Sequence, residues 1–204
     1  MIHPRENELV LGTHGRSIYI ADVSLVQQLT DSITVKDLYA FSPKSINVNA
    51  GWGRKRNDYE AAPKLEYQIP FYTKAAGKTK IQLKTDKGLV LRELTDDSEV
   101  GINYGIWDYT IDPKVAQDYE KYLNDIKKKD DKTIKVEEAD NKQFYIKAGK
   151  YKVIIETANG QKAEKDIEVK NPERRNRRLS PPSPMTSPDA FEEWYEDGGF
   201  EDKK

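Results

Sequence analysis

The chain has 204 residues, of which 36% are hydrophobic and 34% charged; this is polar for a globular protein but adequate for a modest packed core. Its 34 basic and 35 acidic residues leave a net charge of −1, which argues against general binding of nucleic acid or an anionic membrane surface. The absence of cysteine excludes disulfides, zinc–thiolate sites and a cysteine nucleophile. No apolar run approaches the roughly 20 residues of a membrane-spanning helix.

The N-terminal part of the chain has the pattern of a β-hairpin. Residues 8–13 form a nearly continuous apolar segment and residues 16–20 an alternating one, with His14 and Gly15 at the connection. A hairpin of this size is only marginally stable alone, so we expect it to need a host sheet. A short helix is predicted next, with Asp22 as its N-cap, and residues 1–30 form the first predicted region.

Residues 31–63 are predicted to be an irregular linker. Residues 33–42 look partly extended, and residues 43–63 hold two prolines and two glycines with few aliphatic side chains. Nothing in this segment repeats with the period of a helix or a strand over a useful length. The linker therefore separates the hairpin from the next region.

Residues 64–170 have the strand-and-turn pattern of a β-sandwich. Six or seven short strands are predicted, the first ended by Pro70, in the segments 65–69, 80–84, 89–94, 101–110, 149–157 and 163–169. Turn signals occur at Asp86-Lys87-Gly88 and at Asn159-Gly160. Four side chains on these strands are predicted to lie in the core: Leu83, Trp107, Tyr151 and Ile154.

Two segments depart from the β pattern. Residues 113–128 are predicted to be an inserted helix, because Asp112 can cap it, Pro113 suits its first position and apolar residues recur at helical spacing. Residues 171–204 contain five of the ten prolines and dense charge, a composition that favours a disordered tail.

Candidate chemistry is sparse, and two histidines, His3 and His14, are present. His14 with Arg16 forms a candidate polar site at the hairpin connection; the alternative is a turn residue that bonds its own backbone. Carboxylates are plentiful, but nothing marks an opposed pair. No glycine-rich phosphate loop or EF-type calcium loop occurs. We therefore predict no catalytic residue, cofactor or metal site in this chain.

The linker mixes aromatic and basic residues at Trp52, Arg54 and Tyr59. Aromatic faces beside arginine forks can bind sugars or other ligands, so these three residues are a candidate contact for a glycan or a protein partner. The alternative interpretation is that the aromatic side chains pack on a neighbouring domain.

Two runs of residues resemble a known family. The run from His3 to Asp22, His-Pro-Arg-Glu-Asn followed by Leu-Val-Leu-Gly-Thr-His-Gly-Arg-Ser-Ile-Tyr-Ile-Ala-Asp, resembles the final propeller blade of bacterial sortilin-type, BNR-repeat glycosyl-hydrolase-like proteins. In that family the run precedes a sandwich similar to the immunoglobulin-like module of flagellar hook-capping proteins. The corresponding residues here are Ile81-Gln82-Leu83, Gly101-Ile102-Asn103, Trp107-Asp108 and Gly149-Lys150-Tyr151.

The resemblance implies a mainly β fold: a propeller-blade hairpin, an immunoglobulin-like β-sandwich with one inserted helix, and a tail. It implies a periplasmic, cell-surface or secreted protein whose partner is an upstream propeller of the same parent protein or of another chain. The family's Asp-box signature, Ser-x-Asp-x-Gly-x-Thr-Trp, is absent here. Any hydrolase machinery would then lie upstream, and Met1 is either internal to a longer protein or the start of a split gene.

We therefore expect a non-catalytic C-terminal accessory module that packs on or completes a β-propeller and presents a surface for a protein or glycan. Two alternatives stay open. The chain is a fragment of a glycoside hydrolase whose catalytic residues lie upstream, or it is a carbohydrate-binding module that uses Trp52 and Tyr59.

Overall fold

The structure, a computed structural model, describes residues 7–15, 17–55, 57, 59–127 and 133–172. This part of the chain is mainly β, as predicted. Its strands are β1 (Glu8–Gly12), β2 (Ile18–Asp22), β3 (Leu38–Ala40), β4 (Ile46–Asn47), β5 (Tyr67–Thr73), β6 (Gly77–Thr85), β7 (Val90–Ser98), β8 (Gly101–Trp107), β9 (Thr110–Ile111), β10 (Phe144–Tyr145), β11 (Gly149–Thr157) and β12 (Lys162–Lys170). Its helices are α1 (Ser24–Gln28), α2 (Asp31–Thr34) and α3 (Ala116–Ile126), the last preceded by a 3₁₀ turn at Pro113–Val115. The predicted tail at 171–204 lies outside the described residues from 173 onward.

The predicted N-terminal hairpin is present. Strands β1 and β2 pair antiparallel from Glu8 opposite Asp22 to Gly12 opposite Ile18. The backbone N–H of Val23 donates to the carbonyl of Asn7 at 2.9 Å, which closes the open end of the hairpin. The N-cap prediction for Asp22 is wrong by one residue, because Asp22 ends β2 and Val23 is the N-cap of α1. Asp22 still accepts at Oδ1 from the backbone N–H of Ser24 at 2.9 Å, which stabilises the turn into the helix.

Most of the remaining strands form two sheets. A five-stranded sheet has the order β4-β12-β11-β6-β7, and a three-stranded sheet has the order β3-β5-β8. All pairs in both sheets are antiparallel except β4 with β12. Strands β9 and β10 pair separately. The turn signal at Asn159-Gly160 joins β11 to β12, with Gly160 at φ 77°.

The two sheets share one hydrophobic core. Alternate residues of β6 and β11 are buried, and they meet the buried faces of β5 and β8 in a single cluster. A Cβ placed on Gly105 of β8 would lie 2.1 Å from Cδ1 of Ile81 on β6, so the side chain of Ile81 packs directly on the opposite backbone. Trp107 is 1% exposed, and its indole Nε1 donates to the carbonyl of Thr110 at 2.8 Å.

The alternation of β11 corrects one prediction about the core. Leu83, Trp107 and Tyr151 are buried as predicted, but Ile154 is only half-buried. Successive residues of a strand point to opposite faces, so Val153 and Ile155 follow Tyr151 into the core and Ile154 faces outward. The outer face is charged, and ion pairs such as Lys80–Glu93 and Lys152–Glu164 cross its strands.

Strand β5 corrects a second prediction, because it continues through Pro70 to Thr73. The carbonyl of Pro70 accepts from the backbone N–H of Phe41, which lies just past the end of β3. The N–H and C=O of one strand residue point to the same side. The donor that proline lacks would therefore point past the end of β3, and the pairing with β8 loses no hydrogen bond.

The predicted linker is partly ordered into secondary structure. Residues 31–63 contribute α2, β3 and β4, and both strands join the sheets. A second, smaller core lies where α1 and α2 pack on the outer face of the three-stranded sheet; its buried members are Ile33, Phe41 and Tyr72. The apolar residues of this segment are too few to show a period, and they are buried by partners distant in sequence.

The inserted helix is confirmed as α3, which ends at Ile126 and begins with a 3₁₀ turn. The carboxylate of Asp112 accepts from the backbone N–H of Lys114, which is the predicted cap. Tyr119 and Tyr151 bring their hydroxyl groups to 2.5 Å, so a hydrogen bond ties the helix to β11. Burial raises the pKa of Tyr119 to about 12 and also raises the pKa of Tyr151.

Candidate functional site

The hairpin β1–β2 exposes apolar side chains on both of its faces. Ile18 and Ile20 lie on one face, and Leu11 pairs with Tyr19 on the other. The exposed fractions are 73% for Ile18, 64% for Ile20 and 60% for Tyr19. Among the described residues, β1 and β2 pair with no strand beyond each other. This hairpin surface is the largest concentration of exposed apolar side chains in the described part of the chain.

Of the two residues of the candidate polar site at the hairpin connection, the structure describes His14. His14 lies exposed in the turn between β1 and β2. The same turn is closed by Thr13, whose Oγ1 donates to the carbonyl of Ser17 at 3.1 Å and whose backbone N–H donates to that carbonyl at 3.0 Å. Arg16 lies outside the described residues, so the pairing predicted for it with His14 stays a prediction.

Trp52 belongs to an aromatic cluster at one end of the two-sheet core. Its ring stacks on Tyr109, with centroids 4.5 Å apart and planes at 8°, and it tilts against Tyr145 at 6.0 Å. Tyr109 in turn contacts the rings of Tyr67 and Trp107. Burial raises the pKa of Tyr109, as expected for a phenol held against other rings. The indole face of Trp52 is thus used in packing within the chain.

The other two residues of the predicted contact do not join this cluster. Tyr59 is 98% exposed, and Arg54 is exposed on the turn that begins at Gly51. Gly53 sets the path of the loop: its φ is 72°, and a Cβ there would lie 2.6 Å from the ring of Tyr145. The loop is therefore held against the body by Trp52, which leaves Arg54 and Tyr59 on the surface.

The partners of Trp52 were not predicted from the sequence. Tyr109 stands between two strands at φ 62°, and Tyr145 lies more than 90 residues after Trp52 along the chain. The sequence shows the aromatic pair Trp107 and Tyr109, but only the packing of the sheets shows that Trp52 stacks on Tyr109.

Two general findings limit the chemistry of the described residues. They contain no group of three or more histidine or acidic side chains placed to hold a metal ion. None of their helices combines the length and the apolar character needed to cross a bilayer.

Comparison with known proteins adds no relative to these observations. No protein-family model matches the chain. No curated protein matches it at a significant level of sequence similarity.

Proposed function

We propose that this chain is a non-catalytic accessory module whose hairpin completes the last blade of a β-propeller. The propeller belongs to the same parent protein or to a partner chain, of the sortilin-type, BNR-repeat, glycosyl-hydrolase-like class that the run His3–Asp22 resembles. The two-sheet body is then an immunoglobulin-like module that lies beside the propeller. The observation that carries the proposal is the exposure of apolar side chains on both faces of β1–β2.

A propeller blade needs this uncommon pattern. Blades are small antiparallel sheets arranged around a central channel, so each blade packs on neighbours through both faces. A hairpin at the edge of a single sandwich would need apolar residues on one face only. Leu11 and Tyr19 on one face and Ile18 and Ile20 on the other match the blade requirement.

The free energy available from such docking is substantial. Complete burial of one large aliphatic or aromatic side chain contributes roughly 1.5–3 kcal/mol. Five exposed residues of the hairpin are of this kind, and their burial offsets part of the entropy of ordering two five-residue strands. Without the added strands, the hairpin is a two-stranded sheet of marginal stability.

Hydrogen exchange tests the docking directly. Amide exchange across residues 8–20 is measured in this chain alone and in the protein extended by the coding sequence that precedes Met1. We expect rapid exchange in the chain alone and at least about tenfold slower exchange in the extended protein, because a docked strand opens less often. The hairpin β11–β12 is the internal control and should exchange equally slowly in both.

Two results would contradict the proposal. One is strong protection of residues 8–20 in the chain alone at every protein concentration, since the hairpin would then need no host. The other is an upstream coding sequence that encodes blade-like repeats but does not slow exchange across residues 8–20 in the extended protein, because the available propeller would then leave the hairpin undocked. Either result leaves the description of the two-sheet body unchanged.

The non-catalytic part of the proposal has its own test. A glycoside hydrolase needs two carboxyl groups about 5–10 Å apart in a pocket that controls water, and a single hairpin cannot build one. We expect the purified chain to turn over no member of a panel of aryl glycosides. Turnover that disappears in His14→Ala would overturn this expectation and favour the hydrolase alternative.

A further inference from the structure

A cleft of about 420 Å³ lies at the open side of the body, where the last strands of the two sheets, β7 and β8, run past each other. Segments before β5 and around β10 form its walls. Its size falls within the range of small-molecule sites, roughly 300–1,000 Å³. The cleft contains neither the hairpin surface nor Trp52, Arg54 or Tyr59.

Arg92 lines this cleft and faces inward. It pairs with Leu83 across β6 and β7, and directly opposed residues of an antiparallel pair point to the same side of the sheet. Since Leu83 is buried in the core, the arginine stem also points to the inner side. The neighbouring residue Glu93 points outward and is paired with Lys80 at 2.8 Å.

The guanidinium of Arg92 has neither a hydrogen-bond acceptor nor an ion-pair partner among the described residues. Its Nε is buried and has no hydrogen-bond partner, and no described carboxylate forms an ion pair with it. The Arg92 side chain as a whole is half-buried, but a buried Nε without an acceptor still has a desolvation cost, so it needs an explanation. The planar fork of arginine matches a carboxylate, to which it can donate two parallel hydrogen bonds.

The other residues that line the cleft indicate which class of carboxylate-bearing ligand it would accept. Lys64, Glu66 and Asp108 line it too, so its two cationic side chains are balanced by two carboxylates. The two carboxylates would repel a run of acidic residues in a peptide. The same carboxylates accept hydrogen bonds from hydroxyl groups. The side-chain oxygen of Gln143 accepts from Asn141 at 3.1 Å, while its Nε2 donates to no described group and is free to donate to a ligand.

The cleft also has apolar residues in its lining. Ile106, which is 42% exposed, and Pro63 line the cleft beside these polar groups, and the mostly buried ring of Tyr145 forms part of its wall. Tyr145 is held in place because its hydroxyl accepts from Nδ2 of Asn141 at 2.7 Å. A sugar ring presents an apolar C–H face together with hydroxyl groups, so it can use both kinds of surface at once.

We propose that this cleft binds a uronate-containing saccharide, a ligand with one carboxylate per ring among hydroxyl groups. The carboxylate accepts hydrogen bonds from Arg92. Ring hydroxyl groups donate to Glu66 and Asp108, and one accepts from Gln143. The site does not depend on the hairpin, so it stands or falls independently of propeller docking.

The experiment is a titration of the full chain with trigalacturonate, followed by calorimetry and by NMR shift mapping. The matched neutral probe is the methyl-esterified trisaccharide, and the matched acidic probe is triglutamate. We expect binding of trigalacturonate at moderate salt, with shifts centred on Arg92 and Gln143. Arg92→Met should weaken this binding at least about tenfold, because it removes hydrogen bonds to a charged group. Lys114→Met, which removes an exposed cation outside the cleft, should not change it.

Stability measurements guard against a misfolded variant. Arg92→Met removes a donor without a partner and keeps the apolar stem, so its melting temperature without ligand should equal or exceed that of the wild type. Arg92→Lys keeps the charge but not the fork, and we expect intermediate affinity.

Four results would overturn the proposal: no shift with trigalacturonate, equal binding of the methyl ester, tighter binding of triglutamate, or binding that Arg92→Met leaves unchanged. A large fall in the melting temperature of Arg92→Met would also count against it. The guanidinium of Arg92 would then have a structural role in the fold and not a ligand-binding role.

Discussion

The hairpins β1–β2 and β11–β12 are both antiparallel pairs, yet they place their apolar side chains differently. In β11–β12, Tyr151, Val153 and Ile155 face the core while charged residues cover the outside. In β1–β2 both faces are apolar and both are exposed. A strand pair with one apolar face needs one packing layer, whereas a pair with two needs a layer on each side. The hairpin β11–β12 has its packing layer within the described residues, whereas β1–β2 leaves apolar side chains exposed on both faces.

The largest expected effect tests whether the stability of the chain resides in the two-sheet body. Trp107→Ala should lower the free energy of unfolding by about 3–5 kcal/mol, because it leaves a cavity in the shared core and frees the carbonyl of Thr110. Urea unfolding measures this change. The control is Ile106→Ala on the same strand, where the side chain is 42% exposed and the loss should stay below about 1 kcal/mol. A loss below about 0.5 kcal/mol for Trp107→Ala would refute its place in the core.

The same substitution in the two hairpins sharpens the comparison. Ile155→Ala should cost about 2–5 kcal/mol, since Ile155 is fully buried. Ile20→Ala should change the stability of the isolated chain by less than about 0.5 kcal/mol, since Ile20 is already 64% exposed in the folded chain. Equal losses in denaturant unfolding would mean that the N-terminal hairpin already has a partner in this chain.

Alkaline pH should weaken the body through its buried tyrosines. The pKa of Tyr119 is about 12 in the folded chain, above its ordinary value of 10.0, because burial disfavours the phenolate. The unfolded chain therefore loses this proton first, and stability is intact below pH about 10 and falls by roughly 2–3 kcal/mol as the pH rises to about 12. Denaturant unfolding across this range measures the fall. Tyr119→Phe removes one titrating group and should make the curve less steep, while Tyr151 and Tyr109, whose pKa values burial also raises, continue to contribute. An unchanged slope would assign the effect to the other tyrosines.

The smallest effect compares two glycines that both lie in strands. Gly105→Ala should cost about 1–3 kcal/mol, because the new methyl group meets Ile81 in a packed core. Gly12→Ala in the hairpin has no atom within 4 Å of the new Cβ and should be neutral within about 0.5 kcal/mol. Thermal unfolding of the two variants measures both changes in stability. A neutral Gly105→Ala would mean that the sheets separate more easily than their packing indicates.

Local sequence patterns predicted the elements whose cause is local. The hairpin, the helix after Asp112 and the turn at Asn159-Gly160 all have a turn residue, a cap or a period within a few positions. The strand through Pro70 and the strands within 31–63 were missed for the opposite reason. Pro70 is tolerated because β3 ends beside it, and that neighbour is about 30 residues away along the chain.

The candidate contact residues also show the difference between proximity in sequence and proximity in the fold. Trp52, Arg54 and Tyr59 were chosen because they are close in sequence, but the packed structure engages Trp52 with Tyr109 and leaves Tyr59 in water. Arg92 gave no signal, because an arginine in an alternating strand normally faces the solvent.

Composition and alternation thus determined by themselves that this chain is mainly β, with a hairpin, an inserted helix and strands that bury one face. They suffice because turn geometry, helix capping and side-chain alternation act between residues that are near one another in the chain. Only the tertiary structure decided which face of β7 turns inward, what Trp52 stacks on and which hairpin is left uncovered. Those outcomes depend on the register between distant strands, and a shift of one residue moves every side chain to the opposite face.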